Sequence, residues 1–472
     1  MSEDKLTFHL IGIGGAGMSV VAELLLAQGY EVSGSDREHT AVTDALSEAG
    51  AKVFYGHQGA NVPVAAVVVV SSAIKESNPE LAVALERGQR ILHRSQALAL
   101  AAIGRDFVAV AGTHGKTSTS SMIAVALGEL GRDPSRAIGG SLVGGVPGGY
   151  MGSGQAFVAE ADESDESFLN YQPRIAVVTN VEADHLDHYG TEAAVVHAFE
   201  EFARRVIPGG LLICCSDDPG ARALAVKASG EGIRVLTYGR ELAPALLEKS
   251  DGLGASHVAV VDVPAKEGYF ASVVLSYGGE DFSLNLRVPG KHMALNAAAA
   301  WAAGVELGED GQQLARALSA FKGAERRFEL LGSAQGVLVV DDYGHHPTEV
   351  AATIGTAREV TKGSVHVLFR PLTYARTKIF AREFAAELSG ADRVVVTSVY
   401  SSRDQLADGA QGDAIAALME ATPFIADEHE AVCALASGIQ PGDVAIMLGP
   451  KVRHLGFELL ELLQPKDQKS AQ

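Results

Sequence analysis

Two glycine loops and two acidic clusters hold the residues of this 472-residue chain best suited to phosphate and metal chemistry. The first loop, Gly12-Ile13-Gly14-Gly15-Ala16-Gly17, satisfies G-x-G-x-x-G between an apolar run and a helix-period segment. Backbone N–H groups there, with the positive end of a helix, can hold a diphosphate. Asp36 follows about 20 residues on, where a dinucleotide fold places its ribose-reading acid, so an NAD-dependent dehydrogenase is one reading of this half. Glycines needed only for a tight turn are the other.

The second loop, Gly112-Thr113-His114-Gly115-Lys116-Thr117, differs because a lysine and a hydroxyl close it. A lysine at a helix mouth reaches β- and γ-phosphates, and the threonine hydroxyl can ligate Mg²⁺. The strict eight-residue P-loop would begin with glycine at position 110, where Val110 stands.

Two clusters follow on schedule. Phe157–Asp165 ends an apolar run in Glu160, Asp162, Glu163 and Asp165, and Asn180–His188 contains Asp184-His185-Leu186-Asp187-His188. The latter spacing also suits zinc. Beside a phosphate-binding lysine, Mg²⁺ is the better match, and histidines of a surface loop are the plainer alternative.

The elements that must position these residues read as α/β throughout. Strand Leu6–Ile11, helix Met18–Gln28 closed by Gly29 and strand Glu31–Ser33 form a βαβ unit, continued by strand Ala65–Ser71, helix Pro79–Glu86 and strand Ile91–Leu92. A second unit starts at strand Phe107–Ala111, with its helix ending near Gly131. Strands at Ala156–Glu160, Ile175–Thr179, Leu211–Cys215 and Arg234–Tyr238 follow, then His257–Val263 and Ala271–Tyr277, whose alternation reads as antiparallel, and an alanine-rich helix Ala294–Val305. A third alternation runs through Val337–Asp342, Val365–Phe369, Arg393–Thr397 and Asp443–Leu448. The expected domains are 1–105, 106–325 and 326–472: Rossmann-like, P-loop-type and Rossmann-like. The tail Gln464–Gln472 reads as a polar, frayed end. No fixed-period repeat accompanies the recurring strand-turn-helix theme.

Composition excludes several classes. A formal charge of −20 repels a phosphate backbone, so any nucleotide must be held locally and nucleic acid is not an expected partner. With 47% hydrophobic and 20% charged residues the chain can build cores. Cys214, Cys215 and Cys433 do not frame a disulfide scaffold. The start Met1-Ser2-Glu3-Asp4 is acidic where a signal peptide is basic, and no apolar stretch reaches the ~18 residues of a membrane span. A cytoplasmic protein without membrane partners is expected.

Three segments carry a family resemblance. Gly112–Thr117, Glu160–Asp165 and Asp341-Asp342-Tyr343-Gly344-His345-His346-Pro347-Thr348-Glu349 resemble the Mur ligases, the last segment resembling the branch that adds the first amino acid. The resemblance runs from Gly12 to about residue 460. It implies ATP-dependent, ADP-forming ligation of L-alanine to UDP-N-acetylmuramate through an acyl phosphate, in peptidoglycan precursor synthesis, and it removes NAD. It further implies that Gly14, Gly15, Ala16, Gly17, Asp36, Ser71, Ser72 and Ala73 meet the UDP-sugar. Gly112, Thr113, His114, Gly115, Lys116, Thr117 and Ser118, with Asn296, Arg327 and Asp342, would meet ATP. Thr117, Glu160 and His185 would hold Mg²⁺, for which Mn²⁺ could substitute; Lys116, Glu160 and His185 would be catalytic; His345 and Arg376 would serve the incoming substrate.

Several siblings place a carbamylated lysine on the second metal, whereas no lysine occurs here between Lys116 and Lys227. Three segments depart from the family pattern: Met293 in place of an adenine-facing Asn, Phe369–Thr377 with Arg370 and Leu372 where Gln and His are commoner, and Gly449-Pro450-Lys451 in place of G-A-G. The last two bear on the amino acid accepted. A recycling ligase that attaches a ready-made tripeptide to the same sugar is the nearest rival.

Overall fold

The computed structural model describes residues 6–140, 142–143, 146–241, 256–401 and 404–464, apart from the side chains of Asp187 and Asp408. The expected polar tail beyond residue 464 lies outside them. The chain packs as two compact units, Met1–Leu286 with Ala294–Phe321, and Arg287–Met293 with Lys322–Gln472. The first unit contains two of the three sheets.

The first sheet is built from β1 (Thr7–Ile11), β2 (Glu31–Asp36), β3 (Lys52–Tyr55), β4 (Val67–Val70) and β5 (Ile91–His93), all parallel in the order β3-β2-β1-β4-β5. Helices α1 (Ala16–Ala27), α2 (Ala41–Glu48), α3 (Pro79–Glu86) and α4 (Arg94–Ala101) connect them. Near-continuous apolar strands such as Val67–Val70 are what a sheet covered on both faces requires. Helix α1 starts at Ala16, two residues before the apolar period, because Gly15 takes the extended N-cap conformation without a side-chain cap.

A buried charge braces this sheet. The Glu80 carboxylate, at the start of α3, accepts from Ser35 Oγ, Asn61 Nδ2 (2.8 Å) and the Gln58 N–H (3.1 Å), with His9 Nε2 at 3.5 Å. Burial alone would raise its pKa, but the hydrogen bonds from His9, Ser35, Asn61 and Gln58 outweigh that and hold it at about 2.

The second sheet has ten strands: β6 (Asp106–Ala111), β7 (Ser135–Ala137), β8 (Gly149–Tyr150), β9 (Ala156–Glu160), β10 (Ile175–Val178), β11 (Leu211–Cys215), β12 (Val235–Gly239), β13 (Ser256–Val263), β14 (Ala271–Tyr277) and β15 (Glu280–Leu286). Its helices are α5 (Lys116–Glu129), α6 (Leu186–Tyr189), α7 (Glu192–Arg204), α8 (Pro219–Gly230), α9 (Lys291–Glu306) and α10 (Gly311–Ala317). β6 lies between β9 and β10 and is parallel to both, so the segments leaving all three carboxyl ends are neighbours. Ligands of open α/β sheets bind outside such ends. The antiparallel expectation for β13 is half correct: it pairs parallel with β12 and antiparallel with β14. Cys214 and Cys215 are buried strand thiols, and burial pushes Cys215 up to about 11, which keeps it protonated and inert.

The second unit carries β16 (Glu329–Ala334), β17 (Val337–Asp342), β18 (Val365–Phe369), β19 (Arg393–Val396) and β20 (Val444–Leu448) in the order β16-β17-β20-β18-β19, parallel except for β16. Helices α11 (Pro347–Val360), α12 (Tyr374–Ile379), α13 (Ala381–Leu388), α14 (Asp413–Ala416), α15 (Glu428–Ala436) and α16 (Arg453–Leu462) belong to it. Among the described residues no helix is long and apolar enough to cross a membrane.

Candidate active site

The second glycine loop is shaped by contacts that leave no room for side chains. Gly112 has φ +134°, and a β-carbon on it would lie 2.0 Å from Thr179 Oγ1. Gly115, φ +82°, caps α5, and its β-carbon would lie 2.8 Å from Asn296 Oδ1 on α9. The loop is also tied to the segment after β10. The His114 N–H donates to Asn180 Oδ1 (2.8 Å), Thr179 Oγ1 donates to the His114 carbonyl (2.5 Å), and the Glu182 N–H donates to Thr113 Oγ1 (3.0 Å). Thr113 and Ser118 are buried, while Thr117 is half-buried at the start of α5.

Lys116 folds back over its own loop. Its Nζ donates to the carbonyls of Gly112 (2.5 Å) and Thr113 (3.2 Å) and to the Glu163 carboxylate (2.9 Å). Burial opposes its charge, yet Glu163, Asp162 and Glu160 more than compensate and raise its pKa. Burial pushes Glu163 up to about 7, with Lys116 pulling it back and Asp162 pushing it further. Glu160 is half-buried at the end of β9, beside Gly139.

His185 sits in the left-handed region (φ 53°), immediately before α6. Its Nε2 lies 3.8 Å from Glu163 and 3.6 Å from Asp184, while the Asp184 carboxylate accepts its backbone N–H (2.7 Å). His188, which the zinc reading would have converge with His185, is exposed and edge-on to Tyr189. The Asp187 side chain lies outside the described residues. The hydroxyl of Thr117 and the carboxylate of Glu160 are oxygen donors that suit a hard cation such as Mg²⁺, whereas the His185 imidazole is the donor more usual for zinc.

The first glycine loop is closed differently. The Gly12 and Ile13 N–H groups donate to the Ser35 carbonyl (2.8 and 3.0 Å), and the Gly14 N–H donates to Asp36 Oδ2 (2.8 Å). Asp36 therefore braces the loop directly. A β-carbon on Gly17 would lie 2.6 Å from Arg94 Nη1. Ser71 is half-buried, Ser72 and Ala73 are exposed, and Ser72 Oγ donates to Asp165 of the acidic cluster. Arg94 and Glu163, which the sequence reading gave no role, thus lie in the middle of the predicted residues.

In the second unit Asp342 ends β17. Burial pushes it up to about 6, although Arg327 and the N–H groups of Gly344 and Phe328 (2.7 Å each) pull it down. Arg327 donates to Glu349 (3.0 Å), whose other oxygen accepts the His345 N–H (2.9 Å). Burial lowers His292 to about 4, with the Arg327 charge adding to that shift. Arg376 is only 7% exposed in α12, which a surface arginine is not. Two of the family departures are linked: Arg370 donates to the Lys451 carbonyl (2.9 Å) and to Glu428, and Gly449 (φ +116°) packs against the Arg370 carbonyl. Arg370 therefore braces the 449–451 turn.

Three family profiles match the chain in order: "Mur ligase family, catalytic domain" over residues 7–105, "Mur ligase middle domain" over 151–304 and "Mur ligase, glutamate ligase domain" over 326–450. The chain belongs to the Mur ligase family. Among Mur ligases it is 48% identical to the UDP-N-acetylmuramate--L-alanine ligase of Kineococcus radiotolerans, with 96% of each chain covered. It is 46% identical to the enzyme of the same name from Renibacterium salmoninarum, with 98% of this chain and 97% of that one covered. Among solved structures, the UDP-N-acetylmuramate-alanine ligase of Thermotoga maritima superposes with a TM-score of 0.76 at 27% identity, covering 97% of this Mur ligase and 99% of that chain. A murein peptide ligase from Psychrobacter arcticus shares the fold, with a TM-score of 0.69 at 24% identity over 97% of this chain and 98% of its own.

Proposed function

We propose that the chain joins L-alanine to UDP-N-acetylmuramate in an ATP-dependent, ADP-forming reaction of peptidoglycan precursor synthesis. The observation that carries this reading is full-length identity of 43–48% to ligases named for that step. The lysine-bearing glycine loop beside acidic segments supports the ATP half. ATP and a nucleotide sugar are cytoplasmic substrates, which fits a cytoplasmic enzyme. A tripeptide-adding activity on the same sugar is the alternative that the solved murein peptide ligases keep in view.

Amide formation from a carboxylate and an amine is uphill in water, so the sugar's carboxylate is first phosphorylated, and the alanine amine then displaces phosphate from the acyl phosphate. In our assignment residues 1–105 bind the UDP-sugar, 106–325 bind ATP and 326–472 contact the amino acid and nucleotide. Gly14, Gly15, Ala16 and Gly17 line the diphosphate site, with the Ala16 and Gly17 N–H groups at the mouth of α1 turned to it, Asp36 bracing the loop through the Gly14 N–H, and Ser71, Ser72 and Ala73 beside it. Gly112–Ser118 cradle the ATP phosphates, and Lys116 exchanges Glu163 for the transferring phosphoryl group, neutralising it as it moves. Asn296, Arg327 and Asp342 complete the nucleotide contacts, and His345 and Arg376 serve the incoming amino acid. Thr117, Glu160 and His185 would hold Mg²⁺, or Mn²⁺ in its place, which supplies charge neutralisation on the phosphates when bound.

The test is phosphate release from ATP with UDP-N-acetylmuramate and a panel of L-alanine, L-serine, glycine and L-alanyl tripeptide. Turnover with L-alanine above the others is expected, and turnover with the tripeptide alone would transfer the chain to the recycling activity.

A further inference from the structure

Asp162 and Asp165 stand in the acidic segment after β9, yet of this cluster the proposed chemistry uses only Glu160, at the end of β9, and Glu163. Both carboxylates turn toward the first sheet. Arg94 Nη2 donates to Asp162 Oδ2 (3.1 Å), and the same guanidinium packs against Gly17 at the mouth of α1. Ser72 donates to Asp165, whose carboxylate also lies 3.7 Å from His93 Nε2. A third tie follows the segment: Asn170 Nδ2 donates to Ser95 Oγ (2.8 Å). The first turn of α4 and the loop after β4 are thus docked, residue by residue, on the acidic segment.

That segment is stiff enough to transmit a displacement. The Asp162 carboxylate accepts the Ser164 N–H (3.1 Å), its carbonyl accepts the Phe168 N–H (3.2 Å), and Asp165 accepts the Ser167 N–H (3.1 Å). Glu163, the next residue, holds Lys116 at 2.9 Å. Gly17, Arg94, Asp162, Glu163 and Lys116 are therefore consecutive links of one chain of contacts and covalent neighbours, joining the two glycine loops.

We propose that Arg94 is a positioning residue that couples the two nucleotide sites, its guanidinium shared between Asp162 and a diphosphate anion at the first glycine loop. The proposal rests on the assignment of that loop to the UDP-sugar. An anion arriving at Gly17 draws the guanidinium toward itself, relaxes its hold on Asp162 and frees the adjoining Glu163 to release Lys116 to the γ-phosphate. Arginine suits the task because its planar fork engages two acceptors at once. Only glycine at position 17 lets the guanidinium lie so close. By linkage the effect is mutual, so each ligand tightens the other by the same factor.

The experiment is calorimetric titration of the whole chain with a non-hydrolysable ATP analogue and Mg²⁺, with and without saturating UDP-N-acetylmuramate. In the parent the sugar nucleotide is expected to tighten the analogue about tenfold, within the usual range of coupling. Arg94→Gln and Asp162→Asn should each bring that ratio to about one, and the double variant should lose nothing more, because one link has been cut twice. Asp162→Asn leaves Arg94 in place, so the question stays answerable where Arg94→Gln does not fold. A parent ratio of one or below, or a ratio kept within twofold in either variant, overturns the proposal. Gly14→Val separates this from the site assignment: if it leaves UDP-N-acetylmuramate affinity intact, the assignment itself fails. If it abolishes that affinity while Arg94→Gln retains the coupling, only the inference about Arg94 fails.

Discussion

Lys116 and Glu163 form a buried ion pair at 2.9 Å, the lysine 18% exposed and the glutamate 3%. The lysine is thereby held beside the glycine loop, poised to exchange one anion for another. Lys116→Ala is expected to lower kcat for ligation at least about a hundredfold, the scale of losing one preorganised group aimed at developing charge. UDP-N-acetylmuramate affinity, measured by calorimetry, should change less than threefold, because the sugar nucleotide is assigned to another sheet. Loss of that affinity in step with the rate would reject the two-site assignment.

Divalent metal should be essential and carbon dioxide irrelevant. With no lysine between Lys116 and Lys227, and Lys116 itself held as an ammonium against Glu163, the central sheet's functional segments offer no neutral amine to carbamylate. Chelation should stop ATP turnover, Mg²⁺ or Mn²⁺ should restore it, and decarbonated buffer should leave the rate unaltered. Rescue by added bicarbonate would show that a lysine elsewhere is modified.

Gly112→Ala should be costly. Its β-carbon would meet Thr179 Oγ1 at 2.0 Å in a backbone conformation that L side chains rarely adopt. A loss of about 1–3 kcal/mol in unfolding free energy is expected from overpacking and strain, read by urea denaturation. Gly128→Ala on α5, where an added β-carbon meets nothing within 4 Å, is the control and should be neutral or stabilising.

Glu80 makes a pH prediction with a definite sign. Its carboxyl is held at about 2 in the folded chain against an ordinary 4.5, so the folded state binds that proton less tightly than the unfolded state. The stabilisation is fully present above about pH 4.5 and is lost as pH falls toward 2, amounting to about 3 kcal/mol at ~1.4 kcal/mol per unit. The unfolding free-energy difference between the parent and Glu80→Gln should hold steady above pH 5 and shrink steadily below 4.5. A difference independent of pH would mean that the carboxylate gains nothing from its partners.

Arg376 carries the prediction for the amino acid. Arg376→Lys should raise the L-alanine KM about ten- to hundredfold, the range of one charge-assisted hydrogen bond, with the ATP KM little changed. Leu372→Ala should alter mainly the choice among alanine, serine and glycine. Steady-state kinetics varying each substrate in turn decide both, and an unchanged L-alanine KM in Arg376→Lys would move the carboxylate site elsewhere.

Strands were legible where an apolar run stops at a turn or a charge. Ala156–Glu160, Leu211–Cys215, Ala271–Tyr277, Val337–Asp342 and Val365–Phe369 begin and end where the sequence places them. Lys52–Tyr55 and Glu280–Leu286 are not legible in the sequence, because each is a short or polar strand whose partner, not its own pattern, makes it β. Helix Glu192–Arg204 carries a readable signal, the Thr191 cap followed by an amphipathic stripe. In the site, the glycine loops announce themselves because their backbone needs are local. Arg94 does not: its acidic partner Asp162 is 68 residues away, beyond a strand of another sheet. Likewise nothing in the spacing of the acidic segment tells which carboxylate turns inward to Lys116 and which two turn outward.

The lysine-free stretch after the second glycine loop also makes the chain unusually simple to tag. Lys116 is the only side-chain amine from residue 116 through 226, and it is folded over the loop that would cradle a nucleotide. A desthiobiotin-bearing acyl phosphate of ATP, once seated there, would find a single lysine acceptor between Lys75 and Lys227. Mass spectrometry of one tryptic fragment would then read nucleotide-site occupancy directly, in a cell extract and without purification, and rank competing inhibitors by how much of that single label they prevent.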